Sequence, residues 1–356
     1  MHVPEPPATG ESGVRRLVLR TALSLAVVVA VFVGVLPQVA DLSEVGATVG
    51  AMSGLEVAAA LAVTAWNLVS YWLVQMSVLP GLRLTQAAVA SQSSTAVANA
   101  VPAGAAAGIG LTYAIYSSWG FPRAAVTLSL LLSGIWNTFV KVGMPLLALV
   151  LLAVQGDTTT ALVVAALAGV GMIVVAVVAF GLVLRSDATA RRVADLAGRA
   201  LAGLRRLLRR PPPRAWGVAA VRFRHHTVEL LRARWLALTA ATLVSHLSLF
   251  LVLLVVLRHV GVGATEVSGA EVFGAFAFVR LLSALPITPG GLGVVELGLT
   301  AALVVAGGDR EQVVAGVLVY RALTYLLPIP LGGLTYLVWR RRRSWWGPAR
   351  VVEVAP

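Results

Sequence analysis

Four charges stand inside otherwise apolar stretches of the chain: Lys141, Arg280, Glu296 and Arg321. A charge at the centre of a bilayer costs about 3 kcal/mol even on the mildest insertion scales. Such side chains therefore face protein or a water-filled cavity and take partners. Glu296, the one anion of the four, needs a cation, and such a pair would serve either as a lock between two segments or as a direct contact for a substrate. Arg280 and Lys141, the only lysine in the chain, have the chemistry to meet a phosphate, or to snorkel to an interface. Nothing suggests bond-making chemistry. The chain has no G-x-S-x-G, no H-E-x-x-H, no phosphate-binding Gly-rich loop ending in Lys, no acidic cluster for Mg²⁺ and no cysteine. His225-His226 lacks a third ligand nearby in sequence. The expectation is a protein that is not an enzyme and uses no cofactor or metal. With no ATP site, any transport runs downhill, on a gradient, or on lipid asymmetry.

The segment LSALPITPGGLGVVE, residues 282–296, interrupts a run of apolar residues with Pro286, Pro289, Gly290, Gly291 and Gly293 just before Glu296. A helix that stops inside a membrane leaves unpaired N–H groups at the next helix start, which carry about half a positive charge. Glycines let a partner approach that backbone closely. Pro289, Gly290, Gly291 and Gly293 are thus a candidate anion seat; the plainer alternative is capping by Thr288 and water. A second interruption, Asn99-Ala-Val-Pro102-Ala-Gly104, lies in the first half of the chain.

The elements that must position these residues follow from composition. Of the 356 residues, 58% are hydrophobic and 12% charged, with a mean hydropathy of +0.88. Soluble domains carry about 25% charged residues, so the bulk of this chain belongs in lipid. Stretches of about 20 apolar residues span a bilayer, and six qualify: 17–36, 55–79, 126–154, 161–184, 236–257 and 313–339. The stretches 84–119 and 272–306 are each broken in the middle by Pro and Gly, and read as re-entrant hairpins or as paired spans. The predicted fold class is all-α: a polytopic transmembrane helix bundle of six full spans plus two Pro/Gly-broken hairpins in an inverted repeat. Residues 17–154 form the first repeat and 161–339 the second, within a membrane domain of 17–343 flanked by tails 1–16 and 344–356. Gly/Pro-interrupted segments at matching positions of inverted halves point to a transporter site near the midplane.

Arginine placement sets the orientation. Arg15, Arg16, Arg20, Arg83, Arg123, thirteen arginines between Arg185 and Arg234, and Arg340 to Arg343 all fall on one side. The other side holds Asp41, Glu44, Asp157, Glu266, Glu271, Asp309 and Glu311 against Arg258 and Arg310. Cytoplasmic loops carry the Lys/Arg excess, which predicts N-in and C-in, with 17–36 an uncleaved first span of a plasma-membrane protein. In the insert 185–235, Val193, Leu196, Ala200, Leu204 and Leu207 recur at helical spacing among arginines. This predicts a basic amphipathic helix over 188–210 lying on an anionic inner leaflet, ended by Pro211-Pro212-Pro213, with a second short helix from Trp216. Nucleic acid is not an expected partner. Membrane lipids are, and the sequence admits a homo-oligomer.

LPITPGGLGVVELGL, followed by an acidic turn and VLVYRALTYLLPIPLGGL, resembles the transmembrane flippase region of the lysylphosphatidylglycerol synthase family. The likeness runs from about Leu17 to Arg343 and is strongest from Phe273 to Leu334. Glu296 matches the family's acidic position, and Tyr320-Arg321 its Tyr-Arg, so the resemblance makes Glu296–Arg321 the expected pair. NAVPAGAAAGIGLTY matches the family's Asn-x-x-Pro-Gly element loosely, through Asn99, Pro102 and Gly104. Many relatives carry an arginine shortly afterwards, where this chain reads Ile109-Gly110-Leu111-Thr112. The resemblance implies the lipid-moving half of that family without the lipid-synthesising half. It implies a flippase or scramblase for an anionic or aminoacylated phospholipid, or for a polyprenyl-phosphate-linked lipid. A membrane-embedded transferase and a non-transporting scaffold for envelope enzymes are the alternatives.

Overall fold

A computed structural model describes residues 42–100, 104–154, 160–207, 216–283 and 289–345. Every regular element among them is helical. In chain order these are α1 (Leu42–Gly50), α2 (Gly54–Val78), α3 (Leu84–Ala100), α4 (Gly104–Ser118), α5 (Arg123–Val154), α6 (Thr160–Arg185), α7 (Asp187–Leu207), α8 (Trp216–His259), α9 (Gly269–Leu282), α10 (Val294–Val305), α11 (Arg310–Arg321) and α12 (Pro328–Arg341). A π-helical turn, Ala322–Leu326, joins the last two.

Five segments among the described residues are long and apolar enough to cross a membrane: Gly54–Val78, Arg123–Val154, Leu167–Arg185, Gly217–His259 and Arg310–Arg341. They coincide with the second to sixth expected spans; the first, 17–36, lies outside the described residues. Val164, Leu167, Val174 and Val175 of α6 are all exposed. A helix with this many apolar side chains bare of protein cover needs lipid around it. The two interrupted stretches are pairs of short helices. α3, α4, α9 and α10 hold 17, 15, 14 and 12 residues. At 1.5 Å per residue each is about 18–25 Å long, short of the roughly 30 Å hydrocarbon core.

The chain forms two compact units. The first joins residues 42–65, 89–112 and 250–341. Here α3 and α4 run antiparallel: Thr112 Oγ1 donates to Ser94 Oγ at 2.7 Å, and Gly104 lies so close to the backbone of Ala98 that a Cβ would collide with it. α9 and α10 form the other hairpin. Gly298 faces Val279 where a Cβ would stand 3.0 Å from its Cγ2, and Gly291 faces Ser283. Phe250, on the final stretch of α8, stacks edge-on against Phe273 at 5.0 Å. The Arg258 guanidinium donates to the carbonyls of Val262, Gly263 and Val267 at 2.7–2.9 Å. That fixes the loop before α9, which starts on a Ser268–Glu271 capping box.

The second unit joins residues 66–88, 113–249 and 342–345 of the described chain. Val74, Val78, Leu128, Leu132 and Leu238 form its core, with Trp136 and Phe180 packed on it. Asn67 Nδ2 donates to Ser245 O at 3.1 Å and Ser248 Oγ at 2.9 Å, an interhelical bond that accounts for that polar residue in a span.

The insert departs from expectation. There is no separate short helix after Pro213: α8 is continuous for 44 residues, about 66 Å, and carries the chain from the insert directly into a span. α7 is the expected amphipathic helix over residues 188–207, the remainder to 210 lying outside the described residues. Its first half packs along α8. Arg224 donates to Asp187 Oδ1 at 2.8 Å, to Leu184 O at 2.8 Å and to Arg185 O at 3.1 Å. Two turns on, Gly217 faces Arg191 and Asp195. α7 is therefore the antiparallel companion of the α8 extension, not an isolated helix free to lie flat. Ala190 is buried, whereas Val193, Leu196, Arg191, Arg192 and Arg199 are exposed. Sequence periodicity showed the apolar stripe but not the small-residue face that α7 turns to its neighbour.

Candidate functional site

The break before α10 is a single 3-10 turn, Pro289–Gly291, followed by Leu292 and Gly293. Gly290, Gly291 and Gly293 have φ of 60°, 70° and 80°. That left-handed region costs an L side chain about 1 kcal/mol or more and glycine almost nothing. Space imposes the second condition at Gly290, since a Cβ there would collide with the Tyr325 ring.

Glu296 stands one turn into α10 and is 1% exposed. Both carboxylate oxygens are engaged within the chain. Oε2 accepts from the Gly293 N–H at 2.8 Å, and Oε1 accepts from Arg321 Nε at 2.7 Å. The pair expected from the sequence is thus present. The anion seat at the helix start is altered by it: the Gly293 N–H that would greet an external anion is taken by the chain's own carboxylate. The cause is spacing, since a Glu three residues past the helix cap reaches back to the cap N–H.

Arg321 ties the break to the last span. Its Nη2 donates to Gly290 O at 3.2 Å, and its guanidinium lies over the Tyr325 ring at 4.5 Å. The sequence reading did not single out Tyr325. Its position four residues after Arg321, on the same helical face, is the signal that could have found it. The π turn follows Arg321 immediately, and π turns concentrate at functional positions.

Tyr325 also reaches the first hairpin. Its hydroxyl donates to Asn99 O at 2.6 Å, and Asn99 Nδ2 donates to Tyr325 O at 3.0 Å. Asn99 is the penultimate residue of α3, at the first interruption. The two interrupted segments therefore meet at one side chain: Gly290 against the Tyr325 ring, Asn99 on its hydroxyl and carbonyl.

The remaining candidates are placed as follows. Pro102 lies outside the described residues. Gly104 begins α4 against Ala98 and closes the first hairpin. Tyr320 is buried next to Arg321 in the chain. Arg280 is half-buried on the last turn of α9. Lys141 is half-buried on α5, in the second unit.

The last helix packs closely on α3. A Cβ on Gly332 would collide with the Gln92 carbonyl and the Ala96 side chain, and Ser93 Oγ lies 3.0 Å from Thr335 Oγ1. α3 carries a buried polar run: Ser91, Gln92, Ser93 and Ser94 are all under 10% exposed. The sequence reading passed over these four residues because none is charged. Among the described residues no group of three or more His, Cys, Asp or Glu could hold a metal ion. What the arrangement offers chemically is charge and hydrogen-bond recognition.

No curated protein matches the chain at a significant level. A family model does, that of the lysylphosphatidylglycerol synthase TM region, over residues 19–332. That match takes in both interrupted segments and the Glu296–Arg321 pair, so the chain belongs to the lysylphosphatidylglycerol synthase TM region family and is a multi-pass membrane protein.

Proposed function

We propose that the protein moves a lipid between the leaflets of the plasma membrane, as a flippase or scramblase without enzymatic activity of its own. The substrate class is an anionic or aminoacylated phospholipid or a polyprenyl-phosphate-linked lipid. The observation that carries the proposal is the meeting of both interrupted segments at Tyr325. Helices too short to span, joined at one polar residue, make a polar passage through the bilayer without exposing backbone to hydrocarbon. In this reading the hairpins α3–α4 and α9–α10 are re-entrant and enter from opposite sides, with both termini cytoplasmic. The Glu296–Arg321 pair holds α10 to the last span. Arg280 and the outer edge of Arg321 give the phosphate its counter-charge. The double hydrogen bond between Asn99 and Tyr325 is the closed state of the passage.

The test is leaflet exchange by the purified protein in liposomes. Acyl-chain-labelled phosphatidylglycerol on the inner leaflet should become accessible to an impermeant quencher faster than in protein-free vesicles. A folded protein that leaves the exchange rate at the protein-free level would refute transport, leaving the transferase and scaffold readings.

A further inference from the structure

The Gln92 side chain is 4% exposed, and its Oε1 is buried with no hydrogen-bond partner among the described residues. Its neighbours on α3 are satisfied: Ser93 pairs with Thr335, and Ser94 accepts from Thr112. An amide oxygen left unpaired at bilayer depth is costly, and a leucine of similar size would pack there at no such cost. A group retained against that cost is one that a ligand completes.

Its position says which part of a ligand. Gln92, Ala96 and Asn99 lie at i, i+4 and i+7 and share one face of α3. Along that face Ala96 touches Gly332, and Asn99 bonds Tyr325. Gln92 is thus about 10 Å along the helix from Asn99, at 1.5 Å per residue, on the face that carries the Tyr325 junction. Among the described residues, those that meet this face, Tyr325 and Gly332, carry no charge. An unpaired carbonyl oxygen wants a donor, and an ammonium donor would find no carboxylate among the described residues on this face. A hydroxyl is the donor that fits.

We propose that Gln92 is a specificity-determining residue that accepts a hydrogen bond from a hydroxyl of the lipid headgroup, so that, within the proposed substrate class, the protein selects headgroups with a free hydroxyl over headgroups whose only donor is an ammonium. The inference rests on the lipid-moving reading of the Tyr325 junction. It adds that the passage reads the uncharged end of the headgroup at Gln92 while the arginines hold the phosphate.

The experiment compares wild type with Gln92→Leu and Gln92→Met, using acyl-labelled phosphatidylglycerol and phosphatidylethanolamine as probes. Wild type should exchange phosphatidylglycerol faster. Both variants should lose about tenfold on phosphatidylglycerol, one hydrogen bond's worth, with phosphatidylethanolamine unchanged. Both should melt no lower than wild type, because an unpaired polar group has been replaced by an apolar one. Equal loss on both lipids, or a lowered melting temperature, would make Gln92 a packing residue and overturn the proposal. Unchanged headgroup preference with exchange intact would overturn the proposal and leave transport standing. Native mass spectrometry of the same proteins with both lipids separates the two claims. If wild type exchanges no lipid yet binds phosphatidylglycerol preferentially, and Gln92→Leu abolishes that preference, the Gln92 site stands and transport falls. If there is neither exchange nor preferential binding, both fall.

Discussion

Replacing Glu296 with Gln tests how the break is held. The carboxylate is 1% exposed and serves two donors, Arg321 Nε at 2.7 Å and Gly293 N at 2.8 Å. Removing one partner of a buried pair costs roughly 3–5 kcal/mol, because the other charge is stranded. Two features of the structure reduce that figure here. The glutamine carbonyl still accepts from Gly293, so the helix start stays capped. Arg321 keeps the Gly290 carbonyl at 3.2 Å and the Tyr325 ring at 4.5 Å, the latter worth about 1–2 kcal/mol when desolvated. The expected loss is about 2–3 kcal/mol, or a fall of roughly 3–4 °C in Tm for a protein of this size. The second arm is Arg321→Gln in the Glu296→Gln background. With both charges gone nothing is stranded, and the double variant should be about 2 kcal/mol more stable than the sum of the singles predicts. Thermal unfolding in detergent of wild type, both singles and the double gives the cycle. A Glu296→Gln protein that melts with wild type, or a double variant whose loss is the plain sum, would refute the argument that the pair holds α10 to the last span.

Three further outcomes follow from the geometry. Tyr325→Phe removes the hydroxyl that donates to Asn99 O at 2.6 Å; it should cost about 1–2 kcal/mol and speed leaflet exchange by loosening the closed state, and slower exchange in a folded variant would count against a gate there. Gly290→Ala combines a φ of 60° with collision against the Tyr325 ring; we expect a loss of about 2–4 kcal/mol by thermal unfolding, against under 1 kcal/mol for Gly110→Ala, where a Cβ meets nothing within 4 Å. Arg224→Ala strips three acceptors at the α6–α7 junction; limited proteolysis should cut α7 faster in the variant, and an unchanged digestion pattern would show that α7 is held to α8 by other contacts.

Spans were legible because 20 apolar residues have one physical use, and lipid imposes it whatever the tertiary structure. Positions 54–78 and 123–154 needed nothing further. The interruptions were legible for the same reason: Pro and Gly inside an apolar run must be covered, and Pro289 to Gly293 marked a break in the helix. The cost of burying a lone charge required a partner for Glu296, and the family resemblance pointed to Arg321 as that partner. Less legible was anything carried by neutral groups. Tyr325 and Gln92 bear no charge and break no pattern, so their roles depend on which helix lies opposite, and sequence periodicity does not say. The α7–α8 packing was hidden for a related reason. Ala190 and Gly217 are small, and small residues signal close approach only once both helices are in place. The continuity of α8 was missed because Pro211-Pro212-Pro213 suggested a broken insert, whereas from Trp216 onward nothing stops the helix.

In the proposed function a headgroup crosses where the first hairpin meets the last span. The chain has no cysteine, so Asn99→Cys with Tyr325→Cys creates one reactive pair at residues that are joined by hydrogen bonds in the native protein. Leaflet exchange of labelled phosphatidylglycerol should be measured on this double variant in liposomes, before and after a short cleavable thiol cross-linker, and again after cleavage. The account predicts exchange in the free form, exchange at the protein-free level once cross-linked, and recovery on cleavage. Full exchange by a completely cross-linked protein would contradict it.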